Sequence, residues 1–378
     1  MLNKFLLTCL FIGIVIGSKA QSPNSSQNQK DVIQSVLEKN AKRFLKGKNI
    51  NSVSIGIVKD GETYTGHFGE LTKGLNNTPT DQTLYEVGSV SKTITGYLVA
   101  KAVLDKKIDL EEDIRKYLPS DYPNLEFAGQ PVTVRHLLTH TSGLPLFIPV
   151  AMNGLYESLK SDVPEKFLAL EKEASKDSFF KELKNIKLEN KPGTNYIYSN
   201  AGAEIIGHIL EKAYTKPFEQ ILKEELTTAY AMNNTVIRMN EEQKEGLVQG
   251  YWLDNDNPAP NQLNSLWATG SGMKMTMQDM MTYASLQLDE ENPIVKESHR
   301  LLSGENVGTK TSYFWRVRQD KFGTSFNHHG GTSGVQNWLF IVPDYGLAVS
   351  IITNQSGSRT PGLLGRTAKS ILNDLLKG

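Results

Sequence analysis

The chain has 378 residues, with 41 basic and 41 acidic side chains and a pI near 7.1. That balance argues against a nucleic-acid binder, which needs a basic surface to neutralise phosphates. With 39% apolar and 22% charged residues, close to globular averages, whole-chain disorder and collagen are out, and the length allows one large or two medium domains.

Met1 to Ala20 has the layout of a signal peptide: Lys4, an apolar run from Phe5 to Ile16, then Ser18-Lys19-Ala20 before Gln21. A membrane anchor would need about 20 apolar residues, and this run is shorter. A lipoprotein would place Cys9 at the end of the run rather than in its middle. Cleavage after Ala20 would leave 358 residues at a net charge of −2, without a cysteine and without a membrane span. The expected location is the periplasm or the exterior.

Residues 21–30 are polar and read as a flexible lead-in. Asp31 to Leu45 has the spacing of an amphipathic helix. Val53–Val58 and Thr63–Phe68 flank Lys59-Asp60-Gly61, a hairpin signal. Ser89 to Asp105 is the strongest helix, and Val132 to His140 is a second that stops at Ser142-Gly143-Leu144-Pro145. Helical patterns dominate from Phe147 to Ile294, clearest at Ala201–Tyr214 and Met277–Leu288. Strand signals return at Ser312–Arg318, Thr324–Asn327, Asn337–Val342 and Leu347–Thr353, and Pro361–Leu376 closes the chain as a helix.

Strands at both ends with helices between them predict an α/β chain of the α+β kind. One discontinuous domain, 31–85 with 295–378, would hold an antiparallel sheet flanked by helices. The interval 86–294 would form a mostly helical domain. Within it, 156–187 is rich in Lys and Glu and reads as an inserted helical lid or a solvated hairpin.

Ser89 and Lys92 open the strongest helix. Three apart on a helix, they share one face with about 5–6 Å between Cβ atoms. A serine hydroxyl needs a base nearby, and a lysine partly desolvated at a helix start loses its proton more readily. The helix N-terminus offers N–H groups to an oxyanion. S-x-x-K alone also occurs by chance, as an N-cap serine followed by a surface lysine.

Tyr85-Glu86-Val87-Gly88-Ser89-Val90-Ser91-Lys92-Thr93-Ile94-Thr95-Gly96 resembles the nucleophile segment of the penicillin-recognising serine enzymes. These comprise class C β-lactamases, D-alanyl-D-alanine carboxypeptidases and related esterases. Lys191-Pro192-Gly193-Thr194-Asn195-Tyr196-Ile197-Tyr198-Ser199-Asn200 resembles the family's second motif. Asn327-His328-His329-Gly330-Gly331 stands where its Lys-Thr-Gly strand belongs. The resemblance runs from about Val53 to Leu375 and implies a β-lactamase/transpeptidase-like fold.

It also implies roles. Ser89 would be the nucleophile, with Lys92 and Tyr198 handling its proton, the phenolate form of Tyr198 being favoured by the lysine's charge. Backbone N–H groups of Ser89 and Gly331 would form the oxyanion hole. Asn200, His328, Gly330, Gly331 and Phe147 would bind substrate. His328 takes the lysine position in one register; the shifted register, His329-Gly330-Gly331, would give that place to His329. A histidine there holds a substrate carboxylate only when protonated. Phe147 follows Leu144-Pro145-Leu146, where class C β-lactamases carry a glutamine that holds the β-lactam side chain. This weakens the β-lactamase reading against a carboxypeptidase or esterase. A silent binding protein of the same fold is the alternative of another class.

No metal or organic cofactor is expected. His136 and His140 share a helical face but lack the H-E-x-x-H arrangement, so they read as buried structural histidines. The expected partner is a small-molecule or peptide substrate, and the expected state a monomer.

Overall fold

A computed structural model describes residues 23–47, 49–253, 257–321 and 323–376. The expected signal peptide, with Cys9, lies outside the described residues. The 21–30 lead-in is not the flexible segment expected: from Pro23 onward it is the first part of helix α1, Pro23–Phe44. Extending an existing helix fixes one residue per hydrogen bond gained, and Gln27 braces Asp31 one turn later at 2.9 Å. Ile33, Val36, Leu37, Ala41 and Phe44 form the apolar stripe that docks α1 on the sheet.

Strands β1 (Ser52–Lys59) and β2 (Glu62–Gly69) form the expected hairpin. Asp60 and Gly61 both take positive φ, 52° and 83°, as a two-residue hairpin turn of primed type requires. Helices α2 (Ser91–Leu104), α3 (Asn200–Tyr214) and α4 (Met277–Leu286) follow. Four C-terminal strands come next: β3 (Arg316–Asp320), β4 (Gly323–Gly331), β5 (Gln336–Val342) and β6 (Leu347–Thr353). Helix α5 (Thr360–Leu376) ends the described chain.

The sheet order is β2-β1-β6-β5-β4-β3, antiparallel throughout. The two ends of the chain meet where β1 pairs β6, from Ser54 opposite Ile352 to Lys59 opposite Leu347. Side chains alternate along each strand. Val53, Ile55, Ile57, Phe340, Val342, Val349 and Ile351 pack under α1 and α5. Leu339, Ile341, Ala348 and Ile352 face the other way and share one core with Ile94, Leu98, Ile205 and Met280 of the helical part. The two expected units are thus packed on common apolar side chains. Each fully buried Ile or Leu contributes about 1.5–3 kcal/mol of transfer free energy.

Three departures have local causes. The strand expected over Ser312–Arg318 begins only at Arg316, because Tyr313, Phe314 and Trp315 are all buried and cannot alternate; Phe314 turns the chain at φ 65°. The strand expected over Thr324–Asn327 continues to Gly331, since Gly330 and Gly331 still pair with Asn337 and Gln336. In the helical part, Leu84–Glu86 pairs antiparallel with Lys274–Thr276; three-residue strands are too short to show a period. Within 156–187, helices Val163–Glu173 and Lys176–Leu183 occur.

Candidate active site

Helix α2 is buried from Ser91 to Ala100, its polar Ser91, Lys92, Thr93 and Thr95 included. Mid-helix Gly96 is explained by packing: a Cβ there would lie 2.3 Å from the Tyr313 carbonyl oxygen. A tight turn, Gly88–Val90, leads into α2 and carries Ser89. Gly88 has φ +51°, and a Cβ on it would lie 2.5 Å from the Gly331 nitrogen. The missing side chain therefore lets the Ser89 turn sit directly against the end of β4.

Lys92, fully buried, donates to Ser89 Oγ at 3.3 Å, Asn200 Oδ1 at 2.6 Å and the Gly270 carbonyl at 2.6 Å. Burial outweighs the nearby Glu204 charge and, with Arg316, lowers its pKa to about 7. An amine in that state can accept a proton at neutral pH.

Tyr198 and Asn200 are placed by the entry to α3. The Ser199 hydroxyl caps the helix by accepting the Gly202 N–H at 2.9 Å, and donates to the Pro145 carbonyl at 2.7 Å. The Tyr198 ring lies 5.0 Å from Lys92 Nζ, and its hydroxyl is hydrogen-bonded to Ser89. The phenolate expected for Tyr198 is not favoured here. Burial pushes its pKa up to about 12, overriding the Ser89 hydrogen bond and the Arg316 charge. The phenol stays protonated, so Lys92 is the group able to accept the Ser89 proton.

Of the two third-motif histidines, His328 is 1% exposed. Its Nδ1–H donates to the His329 carbonyl at 2.8 Å, and its ring lies 6.3 Å from that of Tyr198. Burial, with the charges of Arg316 and Lys92, holds it well below the usual imidazole range. A protonated His328 clasping a substrate carboxylate is thus not what the structure provides. His329 is the histidine that lines the cleft, its Nε2 2.6 Å from Gln336 Oε1, and burial lowers its pKa to about 4. The two readings of the motif divide: His328 backs Tyr198 and His329 forms the wall.

Gly330 does not reach the cleft either. It is the place where β4 touches the Ser89 turn: a Cβ there would lie 2.1 Å from the Val87 carbonyl oxygen. The same oxygen accepts from Asn337 Nδ2 at 3.0 Å. Gly330→Ala is therefore expected to destabilise the fold by about 1–3 kcal/mol, measured as a lower urea midpoint at an unchanged m-value.

The cleft itself encloses about 340 Å³. Ser89, Tyr198, Asn200, His329, Gly331 and Gln336 form its polar part; Leu146, Phe147, Leu159, Phe167 and Trp252 form its apolar part. Phe147 meets Phe167 and Trp267 edge-on, with ring centroids 5.3 and 6.1 Å apart. Leu159 and Phe167 come from the 156–187 segment, which therefore supplies one wall.

One residue of this neighbourhood carries no signal in the sequence. Arg316, at the start of β3, lines the cleft with its guanidinium 5.8 Å from the Tyr198 ring centroid. Among the described lining residues no other carries a formal positive charge and none a carboxylate, and no described carboxylate forms an ion pair with Arg316. His140 takes a positive φ of 56° and packs its ring 4.3 Å from that of Tyr198. Its Nδ1 accepts the Ser199 N–H at 3.2 Å, so it positions the second motif. His136 instead accepts the Thr133 N–H at 3.0 Å, closing a capping box. The two histidines thus serve separate structural bonds.

Comparison with known proteins places the chain in a family. A family model described as Beta-lactamase matches residues 37–372. Protein flp of Staphylococcus aureus (strain MRSA252) is 23% identical over 93% of this chain and 67% of its own length. A beta-lactamase of Providencia stuartii is 28% identical over 65% of this chain and 58% of its own. Among solved structures, a beta-lactamase/D-alanine carboxypeptidase from Yersinia pestis, complexed with citrate, superposes with TM-score 0.76 at 20% identity, covering 92% of this chain and 99% of that one. One from Pseudomonas syringae gives 0.74 at 20% identity, covering 90% and 98%. These two likenesses show the fold, and the family match over most of the length shows the rest: the chain belongs to the beta-lactamase family of serine hydrolases.

Proposed function

We propose that this chain is an exported serine hydrolase that forms an acyl-enzyme on an amide or ester bearing a carboxylate, of the carboxypeptidase or esterase kind. The observation that carries it is the contact between buried Lys92 and Ser89 at the mouth of a cleft whose charged group is Arg316. Ser89 Oγ attacks the substrate carbonyl while its proton passes to Lys92 Nζ. The N–H groups of Ser89 and Gly331 stabilise the oxyanion. The protonated Tyr198 hydroxyl relays a proton to the leaving group and is restored from Lys92. Water then attacks the acyl-enzyme by the reverse path, releasing the acid and free Ser89. Asn200 holds Lys92 in line. Export rests on the Met1–Ala20 pattern alone.

The substrate's sign follows from the cleft. A guanidinium without a described carboxylate partner favours a planar anion, which it can bind in bidentate fashion. A β-lactamase is the weaker reading, because Phe147 brings a ring edge and no amide to the wall where a β-lactam side chain would need a donor. Incubating the protein with fluorescent penicillin, a D-alanyl-D-alanine peptide and p-nitrophenyl acetate, followed by intact mass and peptide mapping, tests the proposal. An acyl group on the Ser89 peptide is expected. Rapid penicillin turnover would make it a β-lactamase; no adduct and no turnover on any of the three would mean a silent binding protein. Arg316→Gln is expected to raise KM for the peptide about 10- to 100-fold, the worth of a charged hydrogen bond, with p-nitrophenyl acetate turnover little changed on the alkaline plateau, where Lys92 is already a free amine.

A further inference from the structure

Behind Lys92, on the side away from Ser89, stands a carboxyl that the mechanism above does not use. Glu204 lies one turn after Asn200 on α3, so both side chains share the face turned toward α2. It is buried. Its Oε1 accepts the Gly270 N–H at 3.0 Å and its Oε2 accepts the Thr269 hydroxyl at 2.8 Å. The Gly270 carbonyl in turn accepts from Lys92 Nζ at 2.6 Å. One residue, Gly270, is thus clasped by the acid on its N–H and by the amine on its C=O. A Cβ on Gly270 would lie 2.7 Å from Glu204 Oε1 and 3.5 Å from Lys92 Nζ, so any side chain there would wedge the two apart.

The surrounding charges leave Glu204 as the acid that acts on Lys92. Arg316 faces it from β3 and opposes its protonation. Tyr198, His140 and His328, from the other sides, stay neutral. Around Glu204 itself stand Lys92 and, farther along α3, Glu211, and the cavity it borders also carries Lys176, His208 and Arg238. Burial raises the Glu204 carboxyl well above its usual range while lowering the Lys92 amine, so the two converge on one proton. Glu204 also lines a second cavity of about 430 Å³, with Thr269, His208 and Phe218, which shares no lining residue with the Ser89 cleft.

We propose that Glu204 is a positioning residue for Lys92: through Gly270 it fixes the amine beside Ser89, and its charge governs when Lys92 is free to accept the serine proton. The kinetic consequence rests on the serine-hydrolase reading; the coupling itself does not. The test is NMR titration of the full chain labelled with ε-¹³C lysine and δ-¹³C glutamate, with Lys92→Arg and Glu204→Gln assigning the two signals. In the wild-type protein the Lys92 and Glu204 signals are expected to titrate together, each showing the other's step. Glu204→Gln, which keeps an acceptor for the Gly270 N–H, is expected to lower the Lys92 midpoint by about one pH unit or more. The acid limb of kcat/KM for p-nitrophenyl acetate should fall with it, and Glu204→Asp, which keeps the charge, should restore most of both. Independent single midpoints in the wild-type protein, or a Lys92 midpoint unmoved in folded Glu204→Gln, would overturn the proposal. Coupled titration in a protein without Ser89-dependent hydrolysis would support the coupling and count against the hydrolase reading alone.

Discussion

Ser89→Ala is expected to lower kcat/KM for p-nitrophenyl acetate by at least about 10³-fold, since removing the group that forms the covalent intermediate removes the pathway and not just one contact. The fold should be unchanged. Ser89 sits in a turn held by backbone and neighbours: Val90 N–H donates to the Val87 carbonyl at 3.2 Å, and Asn337 holds the same carbonyl from the sheet. Loss of the hydroxyl leaves Lys92 with its two shorter acceptors, Asn200 and Gly270. A urea midpoint equal to wild type together with absent turnover and an absent acyl adduct is the expected pair of results. Turnover retained at the wild-type rate would remove Ser89 from the mechanism and with it the family reading of this site.

Lys92→Met is the second large effect, again at least about 10³-fold in kcat/KM. Methionine fills nearly the same volume and is tolerated in an apolar core, yet it cannot take a proton. The sign of the pH dependence follows from the same group. With its pKa lowered to about 7 by burial, Lys92 is an ammonium below that pH and a free amine above it. Wild-type kcat/KM should therefore rise as pH rises through about 7, and the Lys92→Met residual rate should lose that limb. A profile whose rise instead lay far on the alkaline side, near the Tyr198 value of about 12, would transfer the base role to the phenol. Asn200 Oδ1 and the Gly270 carbonyl both lose their donor in this variant, so part of any stability loss belongs to these unsatisfied groups, at about 1–3 kcal/mol each. Activity measured well below the unfolding transition separates the two.

Much of this was legible from local patterns. The hairpin around Asp60 and Gly61, helices α2 to α5 and the strands β5 and β6 follow from period and turn chemistry, which act within a few residues. The joining of the two chain ends in one sheet followed from the placing of strands at both ends. What local pattern missed was of three kinds. Helix α1 begins earlier than its apolar stripe, because its polar first turns need no partner to be helical. Strand β3 begins late, because three adjacent aromatics are claimed by different parts of the core. The three-residue strands are too short to show a period, and like the start of β3 they depend on contacts far away in sequence.

The same division runs through the site. Ser89, Lys92, Tyr198, Asn200 and Gly331 stand in segments that resemble the motifs of the penicillin-recognising serine enzymes, and that resemblance made them candidates from the sequence by itself. So was the neutral overall charge, which leaves the substrate's sign open. Only the tertiary structure decided how those residues are charged and which of them meet the cleft. Burial, a property of the whole packing, lowers Lys92 and raises Tyr198. It walls in His328 while leaving His329 on the surface of the cleft. It sets Glu204 behind Lys92 through Gly270, 66 residues away along the chain. And it brings Arg316 from the edge strand into a cleft without a described acid, so that a protein with no net charge acquires a local one. Charge summed over a chain has no position; folding assigns it one, and desolvation decides whether each group keeps it.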